Sequence, residues 1–383
     1  MKYLHLYLHE TRIKKLPKRI VISVINDLVT DYRVHRTCNT LIKSGAEVLL
    51  VGRKLPKSPE LASRPYKIRR LNLIFSKGPF FYAEYNIRLF IFLLFTKADI
   101  LVSNDLDTLT ANYIASKIKK KPLVFDSHEY FTELPEVIDR KYVKKIWLFI
   151  EKLIIPNLKH CYTVSDSIAA EYKKNYGVTF AVIRNVSPYC EVGKELLNRV
   201  SKTILYQGAL NKGRGIELAI KSMKYLDDYK LIIAGDGYIA SELRNLADKE
   251  NVSNKIVFTG RIPFENLFNI SIQASVGLSI EEDIGLNYRY ALPNKLFSYI
   301  QLRLPVIVSD LPEMSKIVND YKIGHVLKAR DSFLLAQNIR EICENLNFIK
   351  ELRKNLDIAA RELCWENEEN KLKDIYRKIG LVF

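Results

Sequence analysis

Apolar residues gather along this chain in short unbroken runs, and between the runs they return at helical spacing. RIVISVIND, Arg19 to Asp27, reads as a strand buried on both faces. RVHRTCNTLIKSG then reads as a helix stopped by Gly45, and AEVLLVG as the next strand. Strands that do not alternate, joined through helices, imply a parallel sheet covered on both sides. The pattern repeats in ADILVSND, in the helix TLTANYIASKIKKK and in PLVFDSHE. A long amphipathic helix is expected from about Arg140 to Leu158, followed by HCYTVSD and a helix capped by Ser165 or Asp166.

Between Ser187 and Arg199 the pattern breaks, with a proline, a glycine and no strand periodicity. A second series then begins. KTILYQGAL, YKLIIAGDG, KIVFTGRI, ASVGLSIEE and LPVIVSD read as strands, and KIGHVLK as a last short one. GIELAIKSMKYL, IASELRNLADKEN and NKLFSYIQLR read as helices between them, and the segment from Phe333 to Phe383 is helical throughout. The fold class is therefore α/β, with two doubly wound, Rossmann-like units facing each other across a cleft. The first takes residues 1–190 and the second 191–360. In such folds, ligands bind beyond the carboxyl ends of the strands.

Composition narrows the partners. A chain of 383 residues suits two cores. Its five cysteines, Cys38, Cys161, Cys190, Cys343 and Cys364, are odd in number and include no C-x-x-C, so they read as reduced thiols of a cytosol. The first residues lack the apolar core of a signal peptide; His5 and His9 there fit a metal pair, a short strand or a frayed end. LFIFLLF, Leu89 to Phe95, falls short of the roughly 20 residues that span a bilayer, and reads as a buried helix or a face touching lipid. Net charge is +17. It sits almost wholly in residues 1–200, where lysine and arginine far outnumber the acids. That half suits an anionic surface: phospholipid headgroups, a lipid diphosphate or nucleic acid. No recognition helix or RNA-binding signature accompanies the charge, which argues against nucleic acid. Aromatic residues interleaved with the basic ones, such as Phe75, Phe80 and Phe81 near Lys77, suit a membrane interface.

Several strand ends carry candidate chemistry. VFDSHEYFTE runs from a buried strand straight into Asp126, His128 and Glu129. A core does not accept unpaired ionisable groups, so this end is expected to face the cleft. GALNKGRG, Gly208 to Gly215, links a strand to a helix and could admit a phosphate, or be a bare turn. Gly235 ends another strand in LIIAGDG, a turn or a ligand approach. Lys295, in the first turn of the helix from Asn294, opposes the helix dipole, which favours an anionic ligand nearby. Asp105 and Asp107 form an Asp-x-Asp before a helix and read as caps rather than as a metal site. His35, His160 and His325 read as structural or exposed.

VFDSHEYFTE, YQGALNKGRGIELAI, LIIAGDG, VFTGRIP, ALPNKLFSYIQLRLPVIVSD and CWENEENKLKDIY together resemble the retaining glycosyltransferases of family 4, group 1, in order over nearly the whole chain. The resemblance implies the GT-B fold, with acceptor on the first domain, sugar nucleotide on the second, and residues 361–383 crossing back as a helix to the first. It implies transfer of a hexose-type sugar from a UDP- or GDP-linked donor to a hydroxyl, with retention and without a metal. Together with the charge it points to a polysaccharide or lipid-linked acceptor, while the thiols, the charge and the aromatic residues point to a cytoplasmic place at the inner face of the cell membrane.

Roles carry over residue by residue. Gly208 borders the diphosphate, Gly235 belongs to the nucleotide-binding set, and Arg214 and Lys295 neutralise the diphosphate together with the amides near Asn294. Arg261 and Ile262 lie by the base, and His128 lies near the transferred sugar. Asp31, Arg33 and Glu129 line the acceptor side. Three positions depart from the family pattern. Ala209 replaces an arginine; Tyr290 and Ser298 fall where the family has two glutamates, the second of which binds ribose. Glu281 or Glu282 is a candidate to supply that carboxylate from upstream, with Ser298 beside the nucleotide. The departures leave open a silent sugar-nucleotide-binding homologue.

Overall fold

The computed structural model describes residues 17–29, 31–56, 58–193, 201–262 and 264–383. His5 and His9 lie outside the described residues. The first lobe is a seven-stranded parallel sheet: β1 (Arg19–Ser23), β2 (Glu47–Lys54), β3 (Lys67–Asn72), β4 (Ile100–Asn104), β5 (Leu123–Ser127), β6 (His160–Thr163) and β7 (Ala181–Val182). Their spatial order is β3-β2-β1-β4-β5-β6-β7. The second lobe has six parallel strands: β8 (Thr203–Gln207), β9 (Lys230–Ala234), β10 (Ile256–Gly260), β11 (Val276–Ser279), β12 (Val306–Ser309) and β13 (Gly324–Leu327), ordered β10-β9-β8-β11-β12-β13. In both sheets the order reverses beside the first strand, at β1/β4 and at β8/β11. Such a switch point opens a crevice where a ligand can enter.

Helices cover both faces. In the first lobe α1 (Tyr32–Lys43) lies on one side; α2 (Pro79–Phe95), α3 (Leu106–Lys119), the short α4 (Pro135–Ile138), α5 (Lys141–Ile154) and α6 (Asp166–Tyr176) belong to the other. Ser165 caps α6 by accepting from the Ile168 amide. The second lobe carries α7 (Ile216–Ser222), α8 (Ala240–Lys249), α9 (Phe264–Ser271), the short α10 (Leu286–Arg289), α11 (Asn294–Gln301), α12 (Pro312–Tyr321), α13 (Ser332–Glu344) and α14 (Leu346–Glu362). The buried strands are apolar throughout because neither face meets water.

The final helix, α15 (Trp365–Arg377), lies on the first lobe. Its Leu372, Ile375 and Tyr376 join the apolar cluster that holds Val34, Cys38 and Leu41 of α1. Glu369 accepts from Thr40 at 2.7 Å, and Lys18 donates to the Ile379 carbonyl at 2.9 Å. The five cysteines are free thiols.

Candidate functional site

The carboxyl ends of the two sheets enclose a cavity of about 1140 Å³, lined from both lobes. Its first-lobe wall is built around His128, just beyond β5. Asp126, the penultimate residue of β5, is buried and holds two cations: Arg33 from α1 at 2.8 Å and His128 Nε2 at 2.9 Å. The other ring nitrogen faces Asp105 at 3.6 Å, and Asp105 also accepts the His128 amide at 2.7 Å. Burial opposes charge on the imidazole, but Asp126 and Asp105 overcome it and raise the His128 pKa to about 9. Burial likewise opposes the Asp126 carboxylate, yet Arg33 and His128 lower its pKa to about 2. The ring is therefore an imidazolium fixed between two carboxylates, suited to hold a proton toward an anion rather than to remove one.

The parallel register makes this cluster. Asn104 of β4 stands opposite Asp126 of β5, so Asp105 falls at the same edge. Asp105 occupies the cap position of α3, but its side chain does not cap the helix. Its φ of +57° turns the carboxylate to His128 instead. The capping role expected for it from the sequence is thus corrected. Asp107, two residues further on, is buried, and burial followed by the Asp105 charge pushes its pKa well up.

On the second-lobe wall the buried Glu281, just past β11, gathers two cations. Lys295 Nζ lies 2.8 Å from its Oε1 and Arg214 Nη1 3.8 Å from the same oxygen; Ser279 donates to Oε2 at 2.9 Å. Burial opposes the carboxylate charge, but Lys295 and then Arg214 hold its pKa below the usual range. Lys295 also stands 4.0 Å above the Tyr206 ring, and Arg214 5.0 Å above that of Tyr288. The cationic first turn of α11 is thus compensated by Glu281, and two positive charges share one negative. That surplus faces the cavity. No side chain caps α11, so the amide end at Asn294 is turned to the same space.

Close backbone packing shapes the floor. A Cβ on Gly235 would lie 1.8 Å from the Gly208 carbonyl, so the turns after β8 and β9 touch. Gly215 takes φ +75° at the start of α7, and a Cβ there would meet the Ile280 carbonyl at 2.0 Å. These glycines bring the loop carrying Arg214 against the end of β11, where Glu281 sits.

The model for "Glycosyltransferase Family 4" matches residues 31–187, and that for "Glycosyl transferases group 1" matches residues 191–363. The chain belongs to this glycosyltransferase family. It is an enzyme, a transferase with the GT-B fold. It is 24% identical over 292 residues, 74% of this chain and 75% of the relative, to the Campylobacter jejuni GalNAc-alpha-(1->4)-GalNAc-alpha-(1->3)-diNAcBac-PP-undecaprenol alpha-1,4-N-acetyl-D-galactosaminyltransferase. Sucrose-phosphate synthase from Thermosynechococcus elongatus shares its fold with a TM-score of 0.76 at 17% identity, covering 94% of this chain and 99% of that one. Anabaena Alr3699/HepE in complex with UDP and glucose gives 0.69 at 12% identity, covering 94% and 99%.

The glycosyltransferase brings His128, Glu129, Asp31 and Arg33 to the cavity from its first lobe. Gly208, Arg214, Gly235, Arg261, Ile262, Asn294, Lys295 and Ser298 line it from the second. Two of these are not free for ligand. Arg33 is buried and committed to Asp126 and to the Ile183 carbonyl at 2.9 Å. Asp31 caps α1 through the Val34 amide and accepts from Asn26 at 2.7 Å. Burial and the nearby Asp105 raise the Glu129 pKa.

Glu282 is displaced from its expected place. It pairs with Arg330 at 2.9 Å away from the cavity wall, while its neighbour Glu281 turns inward. Tyr290 packs against the first lobe's apolar core, so its ring bridges the lobes. Ala209 lines the cavity, and its carbonyl accepts from Tyr206 at 2.9 Å. His35 lines the cavity and meets the Tyr66 hydroxyl at 2.7 Å, and His325 pairs with Glu341 at 3.2 Å, partners that the sequence did not show. Asn287 on α10 accepts from the Tyr130 amide at 2.9 Å, a hydrogen bond from one lobe to the other. No spacing in the chain announces it.

Proposed function

We propose that this glycosyltransferase moves a hexose-type sugar from a UDP- or GDP-linked donor to a hydroxyl of a lipid-linked or polysaccharide acceptor, with retention and without a metal. The observation that carries the reading is the convergence of Arg214 and Lys295 on Glu281 beside the amide end of α11. A departing nucleotide diphosphate gains charge as the sugar–oxygen bond breaks. Fixed cations and oriented amides in a dry wall stabilise that charge most where it develops. The bonding electrons pass to the phosphate oxygen, and the acceptor oxygen forms the new bond to the anomeric carbon from the same face. The leaving phosphate oxygen takes the acceptor's proton. His128, already charged, positions the sugar and offsets negative charge.

The lipid-linked acceptor is supported by the C. jejuni relative, named for a sugar chain on undecaprenol diphosphate. The nucleotide donor is supported by the UDP complexes of the Anabaena structure. Among the described residues no helix is long and apolar enough to cross a membrane. The basic first lobe favours a peripheral place at the inner, anionic membrane face.

Thermal-shift screening against UDP- and GDP-linked sugars identifies the donor; the anomer of the product is then read by NMR. Arg214→Ala and Lys295→Ala are each expected to lower kcat by about a hundredfold, and EDTA to leave turnover unchanged. Inverted product would refute retention. Full activity in both variants would remove the cationic wall from the mechanism.

A further inference from the structure

Apart from Glu84, Asn86 and Arg88, helix α2 is made of apolar and aromatic residues, a composition suited to a core or to lipid. It lies instead on the surface of the first lobe. Tyr85, Leu89 and Leu93 face inward, while Phe80, Ile87, Ile91 and Phe95 are exposed, Phe95 to 85%. Helix α5 shows the same arrangement. Tyr142, Ile146, Phe149 and Leu153 recur at one-turn spacing and each is at least 58% exposed. Trp147, on the opposite side of α5, is buried against Tyr82 of α2, with the rings edge-on at 5.2 Å. The two helices cover the same sheet face with α3 packed between them, and α3 adds the exposed Ile114, Lys117 and Ile118 to that outer surface.

Charge along the two helices is mainly positive, although Glu136 and Asp139, just ahead of α5, are exposed. Lys141, Lys145 and Lys152 are exposed beside the α5 stripe, and its single carboxylate, Glu151, is buried. The single carboxylate of α2, Glu84, is occupied by Arg88 at 2.7 Å and by the Ile74 and Phe75 amides. Those amides belong to the turn that presents Ile74, 79% exposed, next to Lys77.

We propose that the α2–α5 face docks on an anionic lipid bilayer, with its apolar side chains at headgroup depth and its lysines on lipid phosphates. The inference rests on the peripheral-membrane reading above and adds the surface and the orientation. Charge selects lipid over a second copy of the chain, because pairing two copies would set lysine rows against each other, whereas anionic lipid neutralises them. Both helices begin beyond the carboxyl ends of strands, on the rim that faces the interlobe cavity. Docking would bring that rim to the headgroup plane, where the reactive end of a lipid-linked acceptor lies.

The test is co-sedimentation of the full chain with phosphatidylglycerol-containing vesicles and with phosphatidylcholine vesicles. Binding is expected to the first and not the second. Lys141→Ala with Lys145→Ala should weaken it roughly thirtyfold, and Ile146→Ser with Phe149→Ser at least about tenfold. Both double variants should keep the wild-type unfolding midpoint and sugar-nucleotide binding. Equal binding to both vesicle types, no binding, or wild-type binding by the variants would overturn the proposal. So would a dimer in light scattering that the Ile146/Phe149 variant dissociates while vesicles are ignored. Vesicle binding without any sugar-nucleotide binding would sustain the docking face and remove the donor reading alone.

Discussion

His128 carries its charge because two carboxylates from neighbouring strand ends meet it, and this has a measurable consequence. Its folded pKa, about 9, lies above the ordinary 6.5 of imidazole. The stabilisation is full below about pH 6.5 and is lost as pH rises through about 9, an effect of about 3 kcal/mol. Urea denaturation across that window should show the decline, and His128→Gln should flatten it. Asp105→Asn should lower the His128 pKa, read by NMR titration; an unchanged value would leave Asp126 as the sole anchor. Ser298 offers a second experiment. It lines the cavity on α11, with its hydroxyl bonded back to the Asn294 carbonyl at 3.1 Å. If the ribose lies there, Ser298→Glu should tighten nucleotide binding about tenfold in calorimetry. Residue choice was only partly legible in the chain. His128, Arg214 and Lys295 follow strand ends or open helices, where ligands gather. Glu281 was not separable from Glu282, because burial and the facing cations decide between adjacent carboxylates, and both come from distant segments.

Elements buried on two sides were the easiest to read. β1, β4, β5, β8 and β9 are apolar runs because their surroundings allow nothing else. β3 escaped notice, since it lies at the sheet edge and its Lys67, Arg69 and Arg70 guard that edge with charge. Helix α2 also gave an ambiguous signal, because its second half, Leu89 to Phe95, is apolar throughout and has no polar side to mark its orientation. The start of α7 depends on a single glycine. Gly215→Ala would force a Cβ into the Ile280 carbonyl at a left-handed backbone position, costing at least about 2 kcal/mol. Urea unfolding should show that loss, together with weaker nucleotide binding, because the same turn sets Arg214 beside Glu281. Stability at the wild-type value would mean that β11 yields at little cost.

At the scale of the molecule, the two series of strands announced two facing lobes, and the positive charge of the chain is concentrated in the first of them. Their contact was not legible, since the Tyr130–Asn287 bond and the Ser167–Glu313 bond at 2.5 Å join residues remote in the chain. The same remoteness governs α15, whose Leu372, Ile375 and Tyr376 complete the cluster around α1. During synthesis, at about 5–20 residues per second, α1 leaves the ribosome tens of seconds before its apolar cover is made. The amino-terminal lobe must wait with that groove uncovered while the carboxy-terminal lobe is translated. Its maturation therefore depends on the timing of translation as well as on its own residues.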